Sequence, residues 1–311
     1  MADLGLGLAA LGRPAYITIG HARDIAGGYD AEVLQRRCHE LLDAAWAAGI
    51  RWFDVARSYG RAEEFLATWL RARSVKPGEV TVSSKWGYRY VADWKPDAKQ
   101  HEIKDHSLEA LDRQLSETRA LLGSYLSVYQ VHSATFESGI LEDRAVLDRL
   151  GAMRDDGLTI GLSLSGARQG AVLERALGVQ SAGRPLFGAV QATWNLAERS
   201  VAPALQRAKE AGLLVLVKEV FANGRLAGNQ APKALIREAM RLGGTPDAVA
   251  LAASLAQPFT DVALSGAATR EQLMQNLRAL ELDGRDIAAR LPELSEAPER
   301  YWETRAGLSW T

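Results

Sequence analysis

Eight short apolar runs recur along the chain, each separated from the next by a longer segment, several of them of clear helical period. They are LGLGLA near Leu4, RWFDV from Arg51, EVTVSSK from Glu79, LSVYQVH from Leu126, TIGLSLS from Thr159, LFGAVQATW from Leu186, LLVLVKE from Leu213 and DVALSG from Asp261. Parallel strands need a crossover of a dozen or more residues, usually a helix, so this alternation predicts repeated βα units. Eight units at even spacing predict an α/β fold closed on itself, a (β/α)8 or TIM barrel, as one domain over 1–311. No Ser/Gly/Pro-rich linker divides the chain. Barrels of this kind routinely reach ~250 residues or more, so the length of 311 needs no second domain.

The intervening helices carry their own punctuation. DAEVLQRRCHELLDAAWAAG offers Asp30 as N-cap and Gly49 as stop, and DHSLEALDRQLSETRALLG runs from Asp105 or Ser107 to Gly123. TPDAVALAASLAQP places Pro246 at a first helical position and ends before Pro258. Cys38 shares a helical face with Leu34, Leu41, Leu42 and Ala45, which predicts a core filler; as the one cysteine it excludes an intrachain disulfide. Three stretches have no regular period: GRPAYITIGHARDIAGGY, WGYRYVADWKPDAKQHEI and the tail after Leu291. The first two follow strands, and long βα loops lie at the carboxyl face of a barrel, where sites are built.

Charge narrows the partners. With 37 Lys and Arg against 38 Asp and Glu, the formal net charge is -1, and no field exists to attract a nucleic-acid backbone or an anionic membrane. A small-molecule substrate is expected, with no nucleic acid and no membrane; composition leaves the oligomeric state open. The longest strand-like apolar run, LLVLV, is far short of a membrane span. The opening MADLGLGLAALG carries Asp3 and lacks a basic segment, which reads as a strand and turn rather than a secretion signal and favours the cytoplasm.

The strand ends hold the chemistry. Asp54 closes the second run, Lys85 the third and His132 the fourth, and Tyr59 follows in the loop after Asp54. In a barrel these ends are neighbours, so Lys85 can pair with Asp54 beside the Tyr59 hydroxyl while His132 approaches from the next strand. A free phenol titrates near ~10; an adjacent ammonium stabilises the phenolate, and on that ground Lys85 is expected to lower the Tyr59 value. Taken singly, a lysine after a strand is usually a solvated end and a histidine among apolar residues a satisfied core group. The joint placement of four such groups is what points to proton chemistry.

With DVARSYG, SSKWG and LSVYQVHSA in view, the chain resembles the aldo-keto reductase superfamily over nearly its whole length, with Asp, Tyr, Lys and His in that family's order. The resemblance implies Tyr59 as general acid/base, tuned by Lys85 and Asp54, with His132 orienting a small-molecule carbonyl. It also implies a nicotinamide dinucleotide, NADP with NAD as the alternative. IGLSLSG and VQATWNLAERS resemble the segments that hold the carboxamide, which implies Ser163 and Gln191. LLVLVKEVFANGRLAG is similar to the seventh strand and phosphate-covering loop, and LSGAATREQLMQNL to the cofactor-locking strand, loop and helix. Together these add Lys218, Arg225, Gly266, Arg270, Gln272 and Asn276 as cofactor contacts. The chain departs from the family pattern at Leu164, where many members have Asn, and at Lys218, where many have an aromatic. Gly266 and Gln272 stand where NADP-preferring members often have Lys and Arg, which leaves Arg270 as the expected phosphate ligand.

Two other readings stand beside this one: a dinucleotide-binding sensor or regulatory subunit on the same barrel, and a barrel glycosidase with Glu219 as nucleophile, which would need a partner carboxylate ~5–9 Å away. His21, His39, His101 and His106 show no metal-ligand spacing, so no metal is expected. His21 is placed in a loop that could face the mouth. Trp46 and Trp69 fit helix faces as core, and Trp86, Trp94 and Trp194 are expected as pocket walls. Tyr301, Trp302 and Trp310 of the tail are candidates either for the pocket or for packing on the outer helices.

Overall fold

The computed structural model describes residues 2–24 and 28–310; residues 25–27 of the first long loop and Thr311 of the tail lie outside them. Eight parallel strands close into a barrel: β1 Asp3–Gly7, β2 Trp52–Asp54, β3 Thr81–Trp86, β4 Leu126–Ala134, β5 Thr159–Leu164, β6 Ala189–Thr193, β7 Leu214–Lys218 and β8 Val262–Ser265. Each strand pairs with its sequence neighbours, and β8 returns to β1 through Asp3 opposite Val262 and Leu6 opposite Ser265. The eight runs are thus the eight barrel strands. Their ends shift by a few residues: the sixth starts at Ala189 rather than Leu186, and the fourth continues past His132 to Ala134.

The principal helices are α1 Ala31–Ala47, α2 Ala62–Ala72, α3 Leu108–Leu122, α4 Arg144–Asp155, α5 Gln169–Leu177, α6 Ala202–Glu210, α7 Lys233–Leu242, α8 Pro246–Leu255, α9 Arg270–Leu277 and α10 Pro298–Ala306. Asp30 caps α1 by accepting from the Glu32 and Val33 N–H groups at 2.8 and 3.4 Å. Ser107, rather than Asp105, caps α3 through the Ala110 N–H at 3.2 Å, and Thr245 caps α8 ahead of Pro246. Cys38 is buried in the layer between helices and barrel. Among the described residues no helix is long and apolar enough to cross a membrane.

Strand alternation sorts the barrel interior into layers. At the amino end Val128, Ala189, Leu216, Val262 and Leu264 pack together with Trp52 into an apolar floor. Trp52 fits because Gly5 faces it: a Cβ there would meet Leu264 and Val262 at 2.8 and 2.9 Å. Two residues further along the same faces stand Asp54 on β2, Lys85 on β3 after Ser83, and Gln191 on β6. The interior therefore changes from apolar to charged toward the carboxyl end.

The second irregular stretch holds structure that the sequence reading left as loop, an antiparallel hairpin of Tyr88–Tyr90 with Glu102–Lys104. It stands over the carboxyl end of β3. The first loop is fastened to the loop after β2, where the Arg61 N–H donates to the Gly12 carbonyl at 2.7 Å. A Cβ on Gly12 would lie 2.1 Å from the Tyr59 carbonyl oxygen and 2.5 Å from the Ala62 Cβ, and backbone on both sides leaves neither free to yield. Gly12→Ala is accordingly expected to destabilise the fold by about 1–3 kcal/mol, the usual cost of overpacking. Urea unfolding checks it: the midpoint falls with an unchanged slope, and a wild-type midpoint would contradict the close approach.

Candidate active site

A cavity of about 240 Å³ opens at the carboxyl end of the barrel. Asp54, Tyr59, His132, Ser163, Gln191, Lys218 and Gly266 all line it. Lys85 stands behind this wall, 1% exposed, and reaches the cavity only through the groups it touches. Its Nζ donates to Asp54 Oδ2 at 2.5 Å and to the Val55 carbonyl at 3.0 Å. The same ammonium lies 4.7 Å from the Tyr59 ring centroid. Asp54 Oδ1 accepts from Ser83 Oγ at 2.7 Å and from Gln191 Nε2 at 2.9 Å. One carboxylate thereby joins β2, β3 and β6 across the barrel.

Tyr59 and His132 meet edge to face at 5.6 Å, and Tyr88 of the hairpin packs on the other side of the imidazole at 4.9 Å. His132 Nδ1 lies 3.4 Å from Ser58 Oγ. Burial, then the charges of Lys85, Lys218 and Arg13, hold the imidazole well below its ordinary value, so it is neutral. The Tyr59 phenol departs from expectation. Burial, then the Asp54 charge, pushes its pKa well above 10, whereas the adjacent ammonium was expected to lower it. Burial and the Asp54 charge together outweigh the Arg13 guanidinium, which acts the other way. The phenol is a protonated donor.

Ser163 Oγ accepts from the Ser133 N–H at 2.9 Å, and Ser133 is held in the left-handed region (φ 54°) where β4 breaks register with β5. The Ser163 hydroxyl keeps its own proton to donate. Gln191 spends its amide N–H on Asp54, and because a carboxylate only accepts, this fixes the carboxamide with its carbonyl as the remaining acceptor. A donor and an acceptor on adjacent strands, with Gln191 opposite Ser163, are what a primary carboxamide requires. These two residues fit the nicotinamide amide.

Beside them, Lys218 donates to Thr193 Oγ1 at 3.0 Å. Burial brings its pKa down to about 8, with Glu219 opposing and Arg305 and Lys85 adding to the fall. Glu219 follows in the left-handed region (φ 55°) with its carbonyl held by Asn195 Nδ2 at 2.9 Å. Its carboxylate is gripped by Arg305 of α10, whose Nε donates at 2.9 and 3.0 Å and whose Nη2 donates at 2.5 Å. Burial alone would raise the Glu219 value, but the charges of Arg305 and Lys218 and the Arg305 hydrogen bonds bring it to about 2. A carboxylate so committed is no nucleophile, which removes the glycosidase reading.

The remaining expected contacts sit away from the cavity wall. Arg225 pairs with Glu296 and lies 5.5 Å from the Tyr301 ring. Gln272 Oε1 accepts from the Ala268 N–H at 2.8 Å, and Asn276 Nδ2 donates to Ser265 Oγ at 2.9 Å. Both brace the β8 loop, whose Ser265 and Gly266 do reach the cavity. Arg270 is exposed at the first position of α9. Of the three tryptophans expected as walls, none lines the cavity: Trp86 points outward because Lys85 points inward, Trp94 donates to the Tyr29 carbonyl, and Trp194 packs on Phe259. His21 is likewise buried off the cavity. Trp310 does line it, stacked on His101 at 4.4 Å and facing the Arg13 guanidinium at 4.7 Å. Tyr301 and Trp302 pack beneath, Tyr301 against Asn195.

Sequence reasoning missed Arg13, Tyr88, Glu102 and Arg305. Arg13, 2% exposed, donates to the Ser58 carbonyl at 2.8 Å and to Glu102 at 2.7 Å, and lies 5.2 Å from the Tyr59 ring. All four stand on the irregular stretches expected to wall the site, but no local pattern singles them out there.

A barrel with its polar residues gathered at the carboxyl mouth defines the class, that of (β/α)8 enzymes-by-architecture whose loops carry the site. The chain belongs to the Aldo/keto reductase family, whose sequence profile matches residues 4–290. It is 22% identical over 250 residues to AAD14 of Saccharomyces cerevisiae, a protein that carries the name aryl-alcohol dehydrogenase, covering 77% of this chain and 65% of that protein's length. In structure it is similar to the holo form of aldo-keto reductase AKR11C1 from Bacillus halodurans, with a TM-score of 0.71 at 19% identity over 95% of this chain and 92% of that one. A second similar structure is an aldo-keto reductase of Pseudomonas aeruginosa, with a TM-score of 0.62 at 24% identity over 93% and 91%.

The Glu219–Arg305 pair gives a pH signature. Because the folded pKa of Glu219 is depressed, its stabilisation is complete above the ordinary carboxylate value near 4.5 and is lost as pH falls toward about 2. Arg305→Met leaves a buried carboxylate unpaired and is expected to cost about 3 kcal/mol at neutral pH. Unfolding of both proteins across pH should show that gap closing below pH 4.5. A gap independent of pH would mean Arg305 matters through packing alone.

Proposed function

We propose that this protein is a nicotinamide-dependent oxidoreductase that interconverts a small aldehyde or ketone and its alcohol, with Tyr59 as the proton donor and acceptor. The observation that carries the reading is the convergence of Tyr59, His132, Asp54, Ser163 and Gln191 on one cavity with Lys85 directly behind. Membership of a family of carbonyl oxidoreductases that use nicotinamide cofactors supports it.

When bound, the reduced nicotinamide supplies hydride to the carbonyl carbon. Ser163 donates to the carboxamide oxygen and Gln191 accepts from its nitrogen, which fixes the ring in the cavity. Tyr59, protonated and buried, delivers its proton to the carbonyl oxygen as negative charge develops there. Lys85 then acts from behind. Its ammonium, held 4.7 Å from the ring by Asp54 and the Val55 carbonyl, stabilises the phenolate left after transfer. His132 is neutral with Nδ1 3.4 Å from the Ser58 hydroxyl, and in this reading it carries its proton on Nε2, where it would hold the carbonyl oxygen toward Tyr59. Tyr88 and Trp310 close the cavity around the substrate and keep it poor in water.

NADP is the proposed dinucleotide. On that reading Arg270, exposed at the start of α9, grips the 2'-phosphate with two parallel hydrogen bonds that NADH cannot offer. Two outcomes are expected. Tyr59→Phe lowers reduction of an aldehyde panel by at least ~10²-fold while the dinucleotide dissociation constant stays near wild type; undiminished turnover would place the proton source elsewhere. Arg270→Ala weakens NADPH and spares NADH, read from dissociation constants for both; equal weakening, or none, would move the phosphate contact to another residue.

A further inference from the structure

The charges around the cavity are paired almost to completion. Lys85 holds Asp54, Arg13 holds Glu102 and Arg305 holds Glu219, which sets three cations against three carboxylates. Lys218 is the fourth cation. Its one hydrogen bond is to the neutral Thr193 hydroxyl, and the nearest oxygen of Glu219 is 3.9 Å away on a carboxylate that Arg305 already grips. With His132 neutral, the described residues around this cavity carry one positive charge without a counterpart of its own. An uncompensated charge at a side-chain exposure of 17% is costly and is tolerated where a ligand decides what it is worth.

Its place is fixed by register. Gln191 pairs with Leu216 and Thr193 with Lys218, so Lys218 faces inward one layer nearer the mouth than Gln191, about 6.6 Å along the strand. Lys218 lines the same cavity as Ser163 and Gln191. We propose that Lys218 makes this site discriminate the redox state of the nicotinamide, favouring the neutral reduced ring over the cationic oxidised ring. This rests on the nicotinamide reading above and deepens it.

The physical argument is one of difference. Oxidised and reduced dinucleotides share the carboxamide, the sugars and the phosphates, so contacts to those parts cancel between them. What separates them in this cavity is a unit positive charge on the ring. An ammonium in the same cavity, at the effective dielectric of a protein site, disfavours that charge by about tenfold or more in binding. Burial first, and the neighbouring charges of Arg305 and Lys85 after it, bring the Lys218 pKa down to about 8, so the site already disfavours the one charge it holds. The bias pulls the bound couple toward the reduced ring, and it helps the oxidised product leave once hydride has been given.

The test uses the intact protein and titrates NADPH and NADP+, and in parallel NADH and NAD+, into wild type, Lys218→Met and Lys218→Arg. Methionine fills the space without a charge, and Glu219 stays paired with Arg305, so the fold has no unpaired carboxylate to bury. Wild type is expected to bind the reduced form more tightly. In Lys218→Met the ratio of oxidised to reduced dissociation constants should narrow at least about tenfold, chiefly through tighter binding of the oxidised form, while Lys218→Arg keeps the wild-type ratio. A ratio unmoved in Lys218→Met, with both forms binding, overturns this inference and leaves the nicotinamide reading standing. No binding of any dinucleotide to wild type overturns both.

Discussion

Everything at the mouth of this barrel is arranged around one buried carboxylate. Asp54, on β2, takes three proton donors from two other strands: Ser83 and Lys85 on β3 and Gln191 on β6. Burying an ion pair costs more in desolvation than the attraction returns unless the remaining lone pairs are satisfied, and here both oxygens are. The consequence is geometric. Lys85 cannot swing into the cavity, so its charge is held at a fixed distance from the Tyr59 ring, and Gln191 cannot flip, so its carbonyl remains the free end.

That anchoring explains why the phenol is harder, rather than easier, to ionise. Burial is the larger cause, and the charge of Asp54, held close to the ring by its anchoring, adds to it while Arg13 acts the other way. A protonated phenol and a neutral imidazole side by side form a donor pair for a carbonyl oxygen, which suits reduction. The surplus charge on Lys218 of β7 bears instead on the bound ring, where it favours the reduced form over the oxidised form. The C-terminal helix takes part through Arg305, which neutralises Glu219 and so leaves Lys218 as the unmatched group. A segment that in sequence is merely a tail thereby sets the electrostatics of the cavity.

The parts of the site legible in the sequence were those that strand periodicity fixes. Asp54, Lys85, His132, Ser163 and Gln191 sit at or near the ends of apolar runs, and alternation with a period of two decides which residue of each run faces inward. The parts that were not legible lie on irregular backbone. Arg13, Tyr88, Glu102 and Arg305 come together from the first loop, the hairpin after β3 and the tail, with Arg13 and Glu102 paired across 89 residues. Trp86 and Trp194 show the same limit from the other side, since an aromatic next to a site residue in sequence points to the opposite face of the strand.

The order and number of strands, the helix starts at Asp30 and Pro246, and the set of polar residues at strand ends follow from the sequence by itself, because local hydrogen bonding and alternation determine them. Only the tertiary structure decided the charge states and the pairings. Whether a phenol ionises, which cation is left without a partner, and which aromatic closes the cavity depend on burial and on distances between segments far apart in the chain. Those distances are set by barrel closure, in which β8 must meet β1, and no local pattern encodes them.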